Sequence, residues 1–127
     1  MFHITAIYAG LIGLFYTYVS LHVSLARGAS KISMGDGGQT DLNLRIRAHA
    51  NFNEYAPLTL ILLALAENQG APTLVLHGAG LTLLATRGAN FYGLTSANGY
   101  KVRYWGALAT YVLLLILSLA VLGHAVM

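Results

Sequence analysis

Four apolar stretches, each about 20 residues or longer, run through a chain of 127 residues and leave almost nothing between them. A helix needs roughly 20 apolar residues to cross a hydrocarbon core about 30 Å thick. The pattern therefore predicts an all-α integral membrane protein, a four-transmembrane-helix bundle with helices over about 2–26, 41–67, 72–92 and 101–126, forming a single membrane domain over 1–127. Composition points the same way: 57% of the residues are hydrophobic and 9% charged, against about 25% charged in an ordinary globular chain. A separate soluble catalytic unit has no room, so any chemistry sits in or beside the bilayer. The chain has no cysteine, which excludes disulfides, thiolate metal sites and a protein thiol nucleophile. A sulfur nucleophile has to be brought in.

The first stretch lacks a basic leader and its apolar run is too long for a cleaved signal peptide, although Ser24-Leu25-Ala26 resembles a cleavage site. It is read as a retained span. Gly35-Asp36-Gly37-Gly38 marks the first connection, and Thr40 or Asp41 is the expected cap of the second helix. A tight hairpin at 68–71 leads to Pro72 in the first turn of the third helix. After 93–99 the fourth helix opens with an aromatic collar of Tyr100, Tyr104 and Trp105.

The net charge of +3 comes from only seven Lys and Arg against four Asp and Glu, with no aromatic-interleaved basic stripe, so nucleic acid is not an expected partner. Arg27, Lys31, Arg45 and Arg47 flank the first connection, and Arg87, Lys101 and Arg103 flank the third. By the positive-inside rule both connections face the cytoplasm and both termini lie outside. Lys31 and Lys101 can simply snorkel from helix ends, and in the plainest reading Arg87 does the same.

At 100° per residue, Arg47, Asn51, Glu54 and Tyr55 project from one side of the second helix. Arg45, His49 and Asn53 form another polar stripe nearly opposite. A helix polar on two sides has to be surrounded by protein or water. An ionised group at the bilayer centre costs about 2.5 to 3.5 kcal/mol on insertion scales, so Glu54 is expected to pair with an arginine or a ligand. Mutual neutralisation of Glu54 and Arg47 is the plain alternative, but it leaves the second stripe unexplained. Pro57 removes the hydrogen bond to the carbonyl of Asn53, and a bend there can widen a cavity.

Four helices offer few surfaces to cover two polar stripes. Self-association is therefore expected, with Gly106, Ala109 and Thr110 permitting close helix approach. His3, His22, His77 and His124 are dispersed and give no metal-ligand spacing, so no metal is assigned. The glycine-rich connection lacks the length and lysine of a phosphate loop. Tyr8, Phe15, Tyr16 and Tyr18 read as packing within the first helix.

The run Arg47-Ala48-His49-Ala50-Asn51-Phe52-Asn53-Glu54-Tyr55-Ala56-Pro57-Leu58 resembles the signature of the MAPEG superfamily, membrane-associated proteins in eicosanoid and glutathione metabolism. The likeness extends to Arg27, to the Gly-Asp-Gly-Gly connection of small bacterial members, and to Arg103 followed by Gly106, and so covers nearly the whole chain. It implies a four-helix protomer in a homotrimer, in a bacterial inner membrane, with glutathione as cosubstrate between neighbouring protomers toward the cytoplasmic side. Residue by residue it implies that Arg27, Arg47, Asn51, Glu54 and Tyr55 hold glutathione, with His49 also facing the ligand in some members. Arg103 lies where the conjugating members place the arginine that stabilises the thiolate, and is the candidate catalytic residue.

These roles are chemically coherent. Arginines pair bidentately with carboxylates, of which glutathione has two; Glu54 can accept from its ammonium and Asn51 can serve its amides. The expected reaction is transfer of the thiolate to a lipophilic small-molecule electrophile arriving through membrane lipid, in a detoxifying role, with peroxide reduction as a related use. Where conjugating members carry tyrosines late in the third span, this chain has Asn90 and Leu94, with Tyr92 nearby. Two other readings fit the length and hydropathy: a proton-coupled multidrug exporter using Glu54, and a non-catalytic scaffold that keeps the fold.

Overall fold

The computed structural model describes residues 2–95 and 99–127, with the backbone alone at positions 94, 95 and 100. The expectations placed on Leu94 and on Tyr100 of the aromatic collar concern side chains outside the described set, as does part of the 93–99 connection. The described chain forms four α-helices: α1 His3–Ser30, α2 Thr40–Asn68, α3 Thr73–Thr95 and α4 Tyr100–Val126.

α1 runs four residues past its apolar stretch, because Arg27-Gly28-Ala29-Ser30 contains no breaker. It stops at Lys31, which takes the left-handed conformation (φ 57°) and returns its backbone N–H to the carbonyl of Arg27. The following turn is built on Gly35, Gly37 and Gly38, all at positive φ, where a side chain is disfavoured. The Asp36 carboxylate accepts the N–H of Gly38 at 2.9 Å. α2 then begins one residue earlier than its expected caps: the extended residue at its start is Gln39, no side chain caps it, and Asp41 sits inside the first turn. There the carboxylate complements the positive end of the helix dipole. At the opposite end of the bundle Gly70, at φ 86°, closes the α2–α3 hairpin, with the N–H of Ala71 bonded to the carbonyl of Ala66 at 3.0 Å.

α2 and α3 are the inner pair, each touching the other three helices, whereas α1 and α4 lie apart on opposite flanks. This division follows the sequence. Among the described residues, only His3–Ser30 and Lys101–Val126 are apolar and long enough to cross a membrane on composition alone. α2 and α3 fall short of that test because Asp41, Arg45, Arg47, Glu54 and Glu67 interrupt α2 and Arg87 interrupts α3, in keeping with the polar first half expected of the second span. The most polar helices occupy the middle and the most apolar ones the outside, the order a lipid solvent favours.

Close helix approach depends on glycines, among them Gly93 on α3, where a Cβ would meet the Arg103 backbone of α4 at 2.9 Å. A Cβ at Gly80 on α3 would enter the ring of Tyr8 on α1, and one at Gly106 on α4 would lie 3.1 Å from the Cβ of Ala89 on α3. Gly106 and Thr110 are buried within the chain. Their small size therefore serves α3–α4 packing, which corrects the expectation that they admit a second copy. The interior is filled by residues such as Val19, Phe52, Leu63 and Leu83, with Phe52 packed edge-on to Phe15 and stacked on Tyr16.

Candidate functional site

The two polar stripes of α2 meet different neighbours. Arg45, His49 and Asn53 all face α1: an Arg45 Nη1 lies 3.0 Å from the His22 ring, His49 Nε2 lies 3.0 Å from the Ser20 hydroxyl, and the Tyr16 hydroxyl donates to Asn53 Oδ1 at 3.5 Å. The His49 ring also stacks on Tyr16 with centroids 5.0 Å apart. Arg45 closes the ladder with an ion pair to Asp41 one turn earlier, at 3.1 Å. This stripe is a side-chain ladder between two helices, in which each of the three α2 side chains meets a polar group of α1. A cavity of about 200 Å³ lies beside Pro57 in the same seam, lined by Ile12, Gly13, Tyr16, Phe52 and Asn53 among others.

The other stripe faces α3 and α4. Arg47 and Asn51 line an open cleft of about 380 Å³ with Asn43 and Leu44 of α2, Asn90 of α3 and Arg103 of α4. Three helices converge here because the first half of α2, the last turns of α3 and the first turn of α4 all lie at the end of the bundle that carries the 31–39 connection. Among the described residues two guanidinium groups border the cleft and no acidic side chain does. Arg47 and Arg103 are exposed and Asn51 is half-buried.

Behind this wall stands Arg87, 1% exposed. Its Nη1 donates to Asn51 Oδ1 at 2.8 Å and to the Asn51 carbonyl at 3.4 Å. Its Nη2 donates to the Thr110 hydroxyl, and its guanidinium carbon lies 5.4 Å from the ring centroid of Tyr55. The snorkelling reading of Arg87 is thus corrected: the side chain turns inward, because Asn51, Thr110 and the Tyr55 ring offer it partners that the apolar flank of α3 does not. The one charged residue of α3, with Thr86 and Asn90 within one turn, is the sequence signal that marked it. Neither Arg87 Nε nor Asn90 Oδ1, both buried, has a partner among the described residues.

The other candidates spread around the chain. Tyr55 supports Arg87 from below and packs near Tyr111, with centroids 6.0 Å apart. Glu54 is exposed and forms no ion pair among the described residues, so neither Arg47 nor another cation of this chain neutralises it. Arg27 donates to the carbonyl of Gly35 at 2.6 Å, tying the first connection to the end of α1. His49 belongs to the α1 ladder. Within one chain, therefore, Arg47, Asn51 and Arg103 share a cleft, Tyr55 stands behind it, and Arg27, His49 and Glu54 lie away from it.

A helical bundle with apolar flanks and a polar, arginine-bearing cleft at one end has the layout of a small integral membrane protein. The family model of the MAPEG family matches residues 5–123, and the chain belongs to that family, whose members are membrane-bound. The chain is also similar to "Inner membrane protein YecN" of Escherichia coli strain K12 and of strain O6:H1, each 35% identical over 121 residues, 95% of this chain and 92% of the relative.

Proposed function

We propose that this protein is a glutathione-dependent membrane transferase of the bacterial inner membrane, with four spans and both termini outside. The observation that carries the reading is the cleft in which Arg47, Asn51 and Arg103 converge without an acidic neighbour. A tripeptide with two carboxylates, two amides and a thiol suits such a wall, since guanidinium groups bind carboxylates bidentately. Arg103 stands at the thiol. A thiol of pKa about 8.5 is only a few per cent ionised at neutral pH, and lowering that pKa by two units takes about 2.7 kcal/mol, within reach of one close cation once a neighbouring copy and the acceptor exclude water from the cleft. The thiol proton leaves to solvent, the sulfur attacks an electrophilic carbon of a lipophilic acceptor, and the leaving group departs with its electron pair. Peroxide reduction draws on the same thiolate.

The assembly in this reading is a homotrimer. Glu54, exposed on a membrane helix and without a partner cation among the described residues, supports it, because a second copy can cover the carboxylate. Glu54 and Arg27 then serve the ligand from the neighbouring copy, with Tyr55 holding the floor of the cleft.

The test is a calorimetric titration of the detergent-solubilised protein with glutathione and a decarboxylated analogue, paired with an aryl-halide conjugation assay. Binding with a large loss for the analogue, together with turnover, is expected. Binding without turnover selects a non-catalytic scaffold. Proton-coupled efflux of a cationic dye from proteoliposomes with no response to glutathione selects an exporter driven by Glu54.

A further inference from the structure

We propose that Arg87 is a positioning residue that holds Asn51 as a hydrogen-bond donor toward the cleft, so that the cleft selects a carboxylate. The inference deepens the glutathione reading and rests on it for the identity of the ligand. It follows from the direction of each hydrogen bond in a buried chain of groups. The Thr110 hydroxyl has one proton and donates it to the carbonyl of Gly106 at 2.7 Å. It therefore meets Arg87 with a lone pair, which suits a guanidinium that has five N–H donors and no acceptor. At its other end the same guanidinium can face only an acceptor, and it faces Asn51 Oδ1 at 2.8 Å.

Asn51 is consequently not free to choose which end of its amide it presents. Its oxygen is engaged by Arg87, and its Nδ2 donates to no protein group among the described residues, while the residue itself lines the cleft. Two amide N–H groups thus join the guanidinium donors of Arg47 and Arg103 on one wall. Asn90 Oδ1, a buried acceptor without a partner among the described residues, lines the same cleft and can take an N–H of the same ligand.

Burial of Arg87 strengthens the argument. A buried cation without a carboxylate partner is costly, and among the described residues Arg87 forms no ion pair. An anion in the adjoining cleft offsets that cost. Carboxylate recognition and the burial of Arg87 are therefore two sides of one electrostatic arrangement.

Asn51→Asp and Arg87→Met separate positioning from mere packing. The detergent-solubilised wild type and both variants are titrated with glutathione, with its diethyl ester, which blocks both carboxylates, and with glutarate, a dicarboxylate without a thiol; melting temperatures are measured alongside. The wild type is expected to prefer glutathione over the ester by at least tenfold. Asn51→Asp keeps or raises the melting temperature, because a carboxylate still accepts from Arg87, yet weakens glutathione and glutarate tenfold or more while changing the ester less than threefold. Arg87→Met narrows the acid-over-ester preference to under threefold, because Asn51 can then turn either end outward. If Arg87→Met does not fold, Asn51→Asp decides alone, since it retains the Arg87 contact. An unchanged acid-over-ester preference in the folded variants overturns the inference and leaves the glutathione reading intact. Glutarate binding that Asn51→Asp abolishes, with no binding of glutathione, overturns the glutathione reading and keeps the inference. A wild type that binds none of the three overturns both.

Discussion

Glu67, in the last turn of α2, caps the start of α1 through Thr5: its Oε1 accepts the Thr5 backbone N–H at 2.9 Å, and its Oε2 accepts that of Ile4 at the same distance. A carboxylate from another helix satisfies two of the four donors that every helix leaves open at its N-terminus and adds negative charge at the positive end of the dipole. This occurs at the end of the bundle away from the basic residues, and it ties the first two helices at the point where the α2–α3 hairpin turns. Glu67→Gln, which can offer one oxygen only, is expected to cost about 1 kcal/mol of stability, measured as a lower midpoint of thermal unfolding in detergent. An unchanged midpoint would mean that water replaces the carboxylate without loss.

Gly80 sits against the ring of Tyr8, whose hydroxyl is hydrogen-bonded to His77 Nδ1 at 2.8 Å. Both the ring and its polar tip are fixed, so a methyl group at Gly80 has to push α1 from α3. Gly80→Ala is expected to destabilise the bundle by roughly 1 to 3 kcal/mol, whereas Gly10→Ala, inside α1 where a Cβ meets nothing within 4 Å, is expected to raise stability by about 0.5 to 1 kcal/mol through helix propensity alone. Comparing the two variants in one detergent separates the steric effect from a general change of helix propensity.

Arg47 and Arg103 border the same cleft but have different assigned tasks. Arg47→Ala is expected to weaken glutathione binding by about tenfold or more, the scale of one charged hydrogen-bonding group, with kcat little changed. Arg103→Ala is expected to lower kcat by roughly a hundredfold with a smaller effect on binding, because it removes an interaction that grows as the sulfur becomes an anion. Steady-state kinetics with an aryl halide, read beside the calorimetric Kd, checks the pair. The reverse pattern would exchange their roles.

His49 is held by Ser20 and by the face of Tyr16, in the ladder on the side of α2 that meets α1. Its replacement by alanine is first a packing lesion, expected to cost about 1 to 2 kcal/mol of stability through a lost hydrogen bond and a lost ring contact. Glutathione affinity is expected to fall by less than in Arg47→Ala. A larger affinity loss in His49→Ala would place His49 in the ligand shell of an assembled trimer.

Helix number, and the polar character of α2, were legible in the residues themselves. Long apolar runs leave a backbone in lipid little choice but a helix, and a spacing of three and four residues puts Arg47, Asn51, Glu54 and Tyr55 on one side whatever the partner is. Two opposed stripes also implied that α2 is surrounded by protein or water, and α1, α3 and α4 cover part of it while Arg47, Asn53 and Glu54 stay exposed. The family could be recognised from the same run of residues, because its side chains sit at fixed offsets along one helix.

What the tertiary structure alone decided was which polar group meets which. Periodicity gives a direction around one helix axis but says nothing about the distance to another helix, so it could not show that His49 turns to Ser20, that Gly106 and Thr110 pack inside the chain, or that Glu67 closes the start of α1. Arg87 illustrates the reason most directly. A long flexible side chain near a helix end can reach the surface or fold inward, and the outcome depends on whether neighbouring helices supply acceptors. Asn51 and Thr110, on two other helices, supply them.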